Sequence, residues 1–139
     1  MNLFSKRSFF ILTVITCIFL ISGCGGPSRQ DVMKYLEPSG EGEYAVHFFY
    51  EDSLPMTETN ELNIFHNSHP IFLDTINKIQ FWNQDIEPYE KWAKVLGIKD
   101  FPVYLVMDAE GIVLETPYLS RVKEFLKEEL LPKDTNSNQ

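Results

Sequence analysis

Cysteine is the residue whose scarcity most restricts the chemistry of this chain. The 139-residue sequence contains two cysteines, Cys17 and Cys24, and none follows residue 24. Everything after Cys24 therefore has no disulfide, no thiol nucleophile and no thiolate metal ligand. A domain built from these residues depends on its hydrophobic core, for which they supply 7 of the chain's 11 Phe and all of its 6 Tyr and 2 Trp.

Basic residues are also few. The chain has 12 Lys and Arg against 20 Asp and Glu, a net charge of −8. Nucleic-acid binding depends on neutralising phosphates with basic side chains, so this balance excludes nucleic acid as an expected partner. It also argues against electrostatic attachment to anionic lipid.

The one long apolar run is too short to favour a membrane span. Residues 9–21 carry no charge and follow Lys6 and Arg7, whereas a spanning helix needs roughly 20 residues. Small residues then precede Cys24, as at the end of an export signal. The sequence Ile-Ser-Gly-Cys at 21–24 resembles a bacterial lipobox. The resemblance implies that Cys24 receives diacylglycerol and becomes the first residue after cleavage.

This resemblance divides the chain. Residues 1–23 are expected to be a signal peptide, 24–30 the lipidated cysteine and a tether, 31–131 one domain, and 132–139 a disordered polar tail. Cleavage would leave 116 residues with a net charge of −10. We expect the protein on the extracytoplasmic face of the cell membrane, held by lipid on Cys24. A plain signal peptide or an uncleaved anchor remains the alternative.

Periodicity predicts an alternation of helices and strands across 31–131. Helices are predicted at 30–36, 55–66, 71–77 and 85–96, and strands at 44–50 and 79–82. A β-hairpin follows, with strands at 102–107 and 112–115 and Gly111 supplying positive φ in its turn. Gly97 is expected to end the helix before it. The last predicted helix, 120–130, is expected to be capped by Ser120.

This order of elements resembles the thioredoxin fold. Residues 97–103, Gly-Ile-Lys-Asp-Phe-Pro-Val, look like the segment in which that family places a cis-proline before a strand. Residues 46–52 look like the strand that leads into its active-site turn. The resemblance implies an α/β domain with a central mixed sheet of about four strands, flanked by helices.

The resemblance also shows which functional residues of that family this chain does not have. Residues 53–56, Ser-Leu-Pro-Met, take the place of the redox Cys-Gly-Pro-Cys motif, and His47 takes the place of a buried acid. A serine hydroxyl cannot perform disulfide exchange, so no dithiol–disulfide oxidoreductase activity is expected. The family's peptide groove would be lined here by Ser53, Leu54, Pro55, Met56, Phe101 and Pro102.

The histidines suggest two other chemistries. His66 and His69 are three residues apart, a spacing that can chelate copper or zinc, with His47 and Met56 as further ligands. The alternative to metal binding is that His66 and His69 are exposed beside a turn and that His47 lies in the core. Ser53 and His47 are six residues apart on one strand and its turn, about 20 Å if extended, which is too far for a nucleophile and its base.

The sequence therefore predicts a non-enzymatic, redox-inactive, lipid-anchored thioredoxin-like domain that binds or scaffolds an extracytoplasmic protein, without a cofactor. A metal carrier and an enzyme of unrecognised chemistry are the alternatives.

Overall fold

The computed structural model describes residues 25–132. Cys24, the predicted signal peptide and residues 133–139 of the predicted tail lie outside the described residues. No helix within 25–132 is long and apolar enough to span a bilayer.

Five helices and four strands make up the described chain. They are α1 (Arg29–Leu36), β1 (Tyr44–Tyr50), α2 (Met56–His66), α3 (Pro70–Thr75), β2 (Ile76–Asn83), α4 (Tyr89–Leu96), β3 (Val103–Asp108), β4 (Gly111–Thr116) and α5 (Leu119–Leu130). The strands form one sheet in the order β2-β1-β3-β4. β1 pairs parallel with β2 and antiparallel with β3, and β3 pairs antiparallel with β4. The predicted mixed four-stranded sheet flanked by helices is confirmed.

Helices cover both faces of the sheet and create two hydrophobic clusters. One cluster joins α1 and α4 to the face that carries Ala45 and Phe49. The other joins α2, α3 and α5 to the face that carries Val46 and Phe48. β1 is thus buried on both faces, which explains why its sequence is apolar throughout rather than alternating.

Two turn residues have the predicted conformations. Gly97 has φ of 85° and follows the last residue of α4, so the predicted helix stop is confirmed. Gly111 has φ of 136° in the β3–β4 turn. There Asp108 Oδ1 accepts hydrogen bonds from the N–H groups of Glu110 and Gly111, at 2.9 and 3.0 Å.

Predicted boundaries were wrong at three places, and at the first of them the strand predicted to begin at residue 79 begins at Ile76. The helix predicted at 71–77 ends at Thr75, because Ile76 is buried in the sheet as the first residue of β2. The helix predicted at 85–96 begins at Tyr89, because Asp85 is held in a turn by hydrogen bonds. Ser120 does not cap α5, which begins one residue earlier and has no side-chain cap.

Phe48 tests the packing of the second cluster. It is 1% exposed and stacks on Tyr104, with 4.2 Å between ring centroids and 13° between ring planes. We expect Phe48→Ala to lower the free energy of unfolding by about 3–5 kcal/mol, because it removes buried area and leaves a cavity. Urea unfolding followed by circular dichroism measures the change. Ile64→Ala, at a side chain 61% exposed, is the control and should change stability by less than about 0.5 kcal/mol. Equal losses in the two variants would contradict this packing.

Candidate functional site

The turn after β1 is fixed to the loop after β2. Asp52 has φ of 59°, a conformation that Asp adopts more readily than most residues. Its N–H donates to Asp85 Oδ2 at 2.8 Å, and its carbonyl accepts from Asn83 Nδ2 at 3.3 Å. Asn83 Oδ1 in turn accepts from the Asp85 N–H at 2.8 Å. Short polar side chains thereby fix the backbone from which α2 starts.

Pro55 and Pro102 line the same cavity beyond this turn. Pro55 precedes the first residue of α2, and a cis peptide bond joins Phe101 to Pro102 at the start of β3. Both prolines line a cavity of about 270 Å³ between α2, β3 and the β4–α5 loop. Pro117 and Tyr118 form its other rim, and Tyr118 is 64% exposed. This Pro55–Pro102 cavity is the candidate site.

Tyr104 is the buried polar residue among those that line the Pro55–Pro102 cavity. The residue is 2% exposed, and its hydroxyl is buried without a hydrogen-bond partner among the described residues. Burial raises the pKa of Tyr104, and the nearby carboxylates of Glu58 and Glu61 raise it further. The phenol therefore stays neutral and keeps its O–H proton as a hydrogen-bond donor.

The structure separates the other residues of the predicted groove. Met56 is exposed on the opposite side of α2, in a groove with His66. Phe101 packs against the α1–α4 cluster and lines a different depression, beside Glu51 and Asp85. Ser53 is exposed and Leu54 is half-buried in the turn. Pro55 and Pro102 are the two predicted groove residues that share the candidate cavity.

The three histidines have separate structural roles. His66 Nε2 lies 3.0 Å from the carbonyl oxygen of Ile76, and His69 Nδ1 accepts the Ile71 N–H at the start of α3, at 3.2 Å. His47 lies within the α1-side core, fully buried. Within residues 25–132, no three His, Cys, Asp or Glu side chains form a group that could hold a metal ion. The structure thus does not assemble the predicted His ligand set.

Sequence reasoning did not identify Tyr104 as a site residue. The signal was present in β3, where one hydroxyl-bearing residue interrupts the apolar run Val-Tyr-Leu-Val-Met. A buried tyrosine normally finds a hydrogen-bond partner for its hydroxyl. The sequence does not show that this hydroxyl lacks a partner or that Tyr104 lines a cavity.

Comparisons with solved structures agree with this fold. Thioredoxin f2 of Chlamydomonas reinhardtii superposes with a TM-score of 0.56 at 15% identity, covering 77% of this chain and 96% of that one. A thioredoxin from Fasciola hepatica gives 0.54 at 10% identity, covering 73% and 94%. An uncharacterised thioredoxin-like protein from Clostridium perfringens gives 0.51 at 16% identity, covering 73% and 81%.

The chain has a thioredoxin-like fold. No protein-family model matches the sequence, and no curated protein matches it significantly. Identities of this size show the fold alone, so the activity of those thioredoxins does not transfer to this chain. The sequence has no cysteine among residues 25–132, and the β1–α2 turn carries Ser53 and Met56.

His47 gives a pH-dependence that follows from its contacts. Its Nε2 lies 2.7 Å from the Leu36 carbonyl oxygen, and its Nδ1 accepts the Trp82 Nε1–H at 3.1 Å. Burial lowers the pKa of His47 from 6.5 to about 4; the hydrogen bond to Leu36 raises it, and Lys78 lowers it. Between these two pH values only the unfolded chain takes up the proton at this position. Stability is therefore lost as pH falls from about 6.5 to 4, by about 3 kcal/mol.

The measurement is urea unfolding at a series of pH values, comparing the wild type with His47→Gln. The variant should lose less stability across this window, because it has no group of that pKa at position 47. Other groups titrate in both proteins and cancel in the comparison. Parallel stability–pH curves would show that His47 does not titrate as its contacts require.

Proposed function

We propose that this protein is a lipid-anchored, redox-inactive thioredoxin-like module that binds another extracytoplasmic protein through the Pro55–Pro102 cavity. The observation that carries the proposal is the Tyr104 hydroxyl, which is buried at the cavity without a partner. An unsatisfied buried hydroxyl costs about 1–3 kcal/mol. A ligand that supplied an acceptor would remove that cost.

The cavity has the chemistry of a peptide-binding surface. Proline rings and the Tyr118 ring provide apolar contact. We assign to the Tyr104 hydroxyl one hydrogen bond to a backbone carbonyl, which a small movement of the lining must make accessible because the oxygen is covered in the free domain. Glu58 and Glu61 line the α2 side, which disfavours an anionic ligand. Glu61 is already paired with Lys123 of α5. A neutral or basic peptide segment fits this combination best.

The absence of a thiol supports a non-enzymatic role. No group within the Pro55–Pro102 cavity can take part in dithiol exchange, and the hydroxyl of Ser53 is exposed in the turn. The proposed mechanism is therefore contact at the cavity combined with attachment to the membrane through Cys24. Attachment confines the domain near its membrane-associated partners and raises their effective concentration.

Tyr104→Phe tests the cavity, because it removes one oxygen atom and keeps the ring that stacks on Phe48. The free variant should be as stable as wild type or more stable, since the lost hydroxyl has no partner. Binding to the partner should weaken about five- to tenfold, which is the loss of affinity expected when one hydrogen bond is removed. A photo-reactive amino acid at Tyr118 in membranes identifies the partner, and the same probe at Ile64, outside the cavity, is the control. Equal cross-linking from the two positions, or unchanged affinity of Tyr104→Phe, would contradict the proposal.

Cys24→Ser tests the attachment separately. Without a thiol to acylate, the chain should lose incorporation of radiolabelled palmitate and should keep its unprocessed signal. Metabolic labelling and the apparent mass on a gel measure both effects. Cys17→Ser is the matched control, since it changes the other cysteine, and should leave labelling and processing as in wild type. Labelling that survived Cys24→Ser would place the lipid elsewhere or remove this part of the proposal.

A further inference from the structure

Strand β2 is an edge of the sheet with a regular outer side. It pairs with β1, and in the described part of the chain no strand lies beyond it. The ladder continues to Gln84, whose N–H donates to Tyr50 O at 2.8 Å. Backbone groups alternate in direction along a strand, so Gln80 and Trp82 direct their N–H and C=O groups toward β1. Those of Ile79 and Phe81 therefore point outward.

This edge lacks the features that usually prevent strand addition. β4, the opposite edge, has an acidic residue, Glu115, and an irregularity in its register with β3. From Lys78 to Asn83, β2 is regular and contains no Pro, Gly or acid. Its one charge is Lys78, a residue type that can protect an edge, but its Nζ is held at the end of α1, where it donates to the carbonyls of Tyr35 and Glu37. Such a segment is expected to be covered in the working protein.

The groove beside this edge has no acidic lining residue, although Glu43 contacts Asn77 at the start of the strand. A groove of about 410 Å³ separates α2 from β2. Ile79 and Phe81 line it from the strand, and Met56, Asn63 and His66 line it from the helix. The groove contains no Asp or Glu, although the sequence has 20 of them. Two copies of this acidic protein can therefore approach along β2 with less charge repulsion than along their acidic surfaces.

We propose that β2 pairs antiparallel with β2 of a second copy, about a twofold axis at Gln80. In this register Ile79 of each copy lies opposite Phe81 of the other, and these are the residues whose backbone groups point outward. Each such pair exchanges both backbone hydrogen bonds. The side chains form pairs between a β-branched and an aromatic residue on the groove face, which stabilise strand pairing.

The other face of the pairing is also self-complementary. Gln80 lies opposite its own copy, and its Oε1 is buried without a partner in the single chain. The two facing amides can hydrogen-bond each other once the side chains reorient, because Oε1 is covered in the single chain. Lys78 lies opposite the uncharged Trp82, so the register does not oppose like charges. The result is a symmetric dimer with one continuous sheet across both copies.

Cross-linking of the full-length protein in membranes tests this register. Gln80 forms a non-hydrogen-bonded pair with its copy, at a Cα separation of about 4.5 Å, within the range of a disulfide. Oxidation of Gln80→Cys should convert most of the chain to a covalent dimer. Val113→Cys, on the opposite edge and 39% exposed, should give little covalent dimer. The wild type controls for disulfides formed by Cys17 or Cys24. Dimer yields from Gln80→Cys no higher than from the controls would overturn the proposal. A disulfide or adduct to a different protein would also overturn it, by assigning the edge to that protein.

Sedimentation of the full-length protein in detergent provides an independent measurement. Wild type should sediment as a dimer, and Phe81→Lys should weaken self-association about tenfold or more, because it replaces both aromatic contacts with charge. Val113→Lys adds the same charge at the other edge and should remain dimeric. Circular dichroism confirms that each variant is folded. A monomeric wild type at about 100 μM, well above the Kd of a specific dimer, would overturn the proposal.

Discussion

The burial of β1 on both faces is the constraint on which the rest of the structure depends. Its backbone groups are used by β2 and β3, so only its side chains need partners. His47 is its one polar side chain in the core, and a neutral imidazole there needs one donor and one acceptor. Trp82 of β2 provides the donor and Leu36 of α1 the acceptor. One residue thereby couples the central strand to the end of α1 and to the edge strand.

Tyr104 is the opposite case on the other face of the sheet. His47 has both ring nitrogens in hydrogen bonds, whereas the Tyr104 hydroxyl is buried without a partner. The first arrangement stabilises the core, and the second lowers stability by about 1–3 kcal/mol unless something binds. A phenylalanine at 104 could keep the stacking on Phe48 without that cost. The proposed function therefore assigns this hydroxyl to a ligand.

The sequence predicted more of the fold than of the site. Runs of apolar residues located all four strands, and Gly97 and Gly111 fixed two turns, because these signals are local. The boundary error at Ser120 arose where α5 begins at the buried residue Leu119. The error at Asp85 arose where a side chain pairs with a backbone group distant in sequence, since Asp85 Oδ2 accepts the Asp52 N–H. The lined cavity was not predictable for the same reason. The position of Met56 relative to Pro102 depends on the rotation of α2, and that of Tyr104 depends on the twist of the sheet. Local sequence patterns encode neither.

Helix α2 relates the two proposed surfaces. Glu58 and Glu61 line the Pro55–Pro102 cavity, and Met56 and His66 line the groove beside β2. Residues 58 and 61 lie on the opposite side of a helix from residues 56 and 63, since each residue turns by 100°. Pairing at the edge would therefore leave both cavities of a dimer open. A membrane-bound dimer would present two binding sites to its partner, and simultaneous contact would raise the effective affinity without any new interaction at either site.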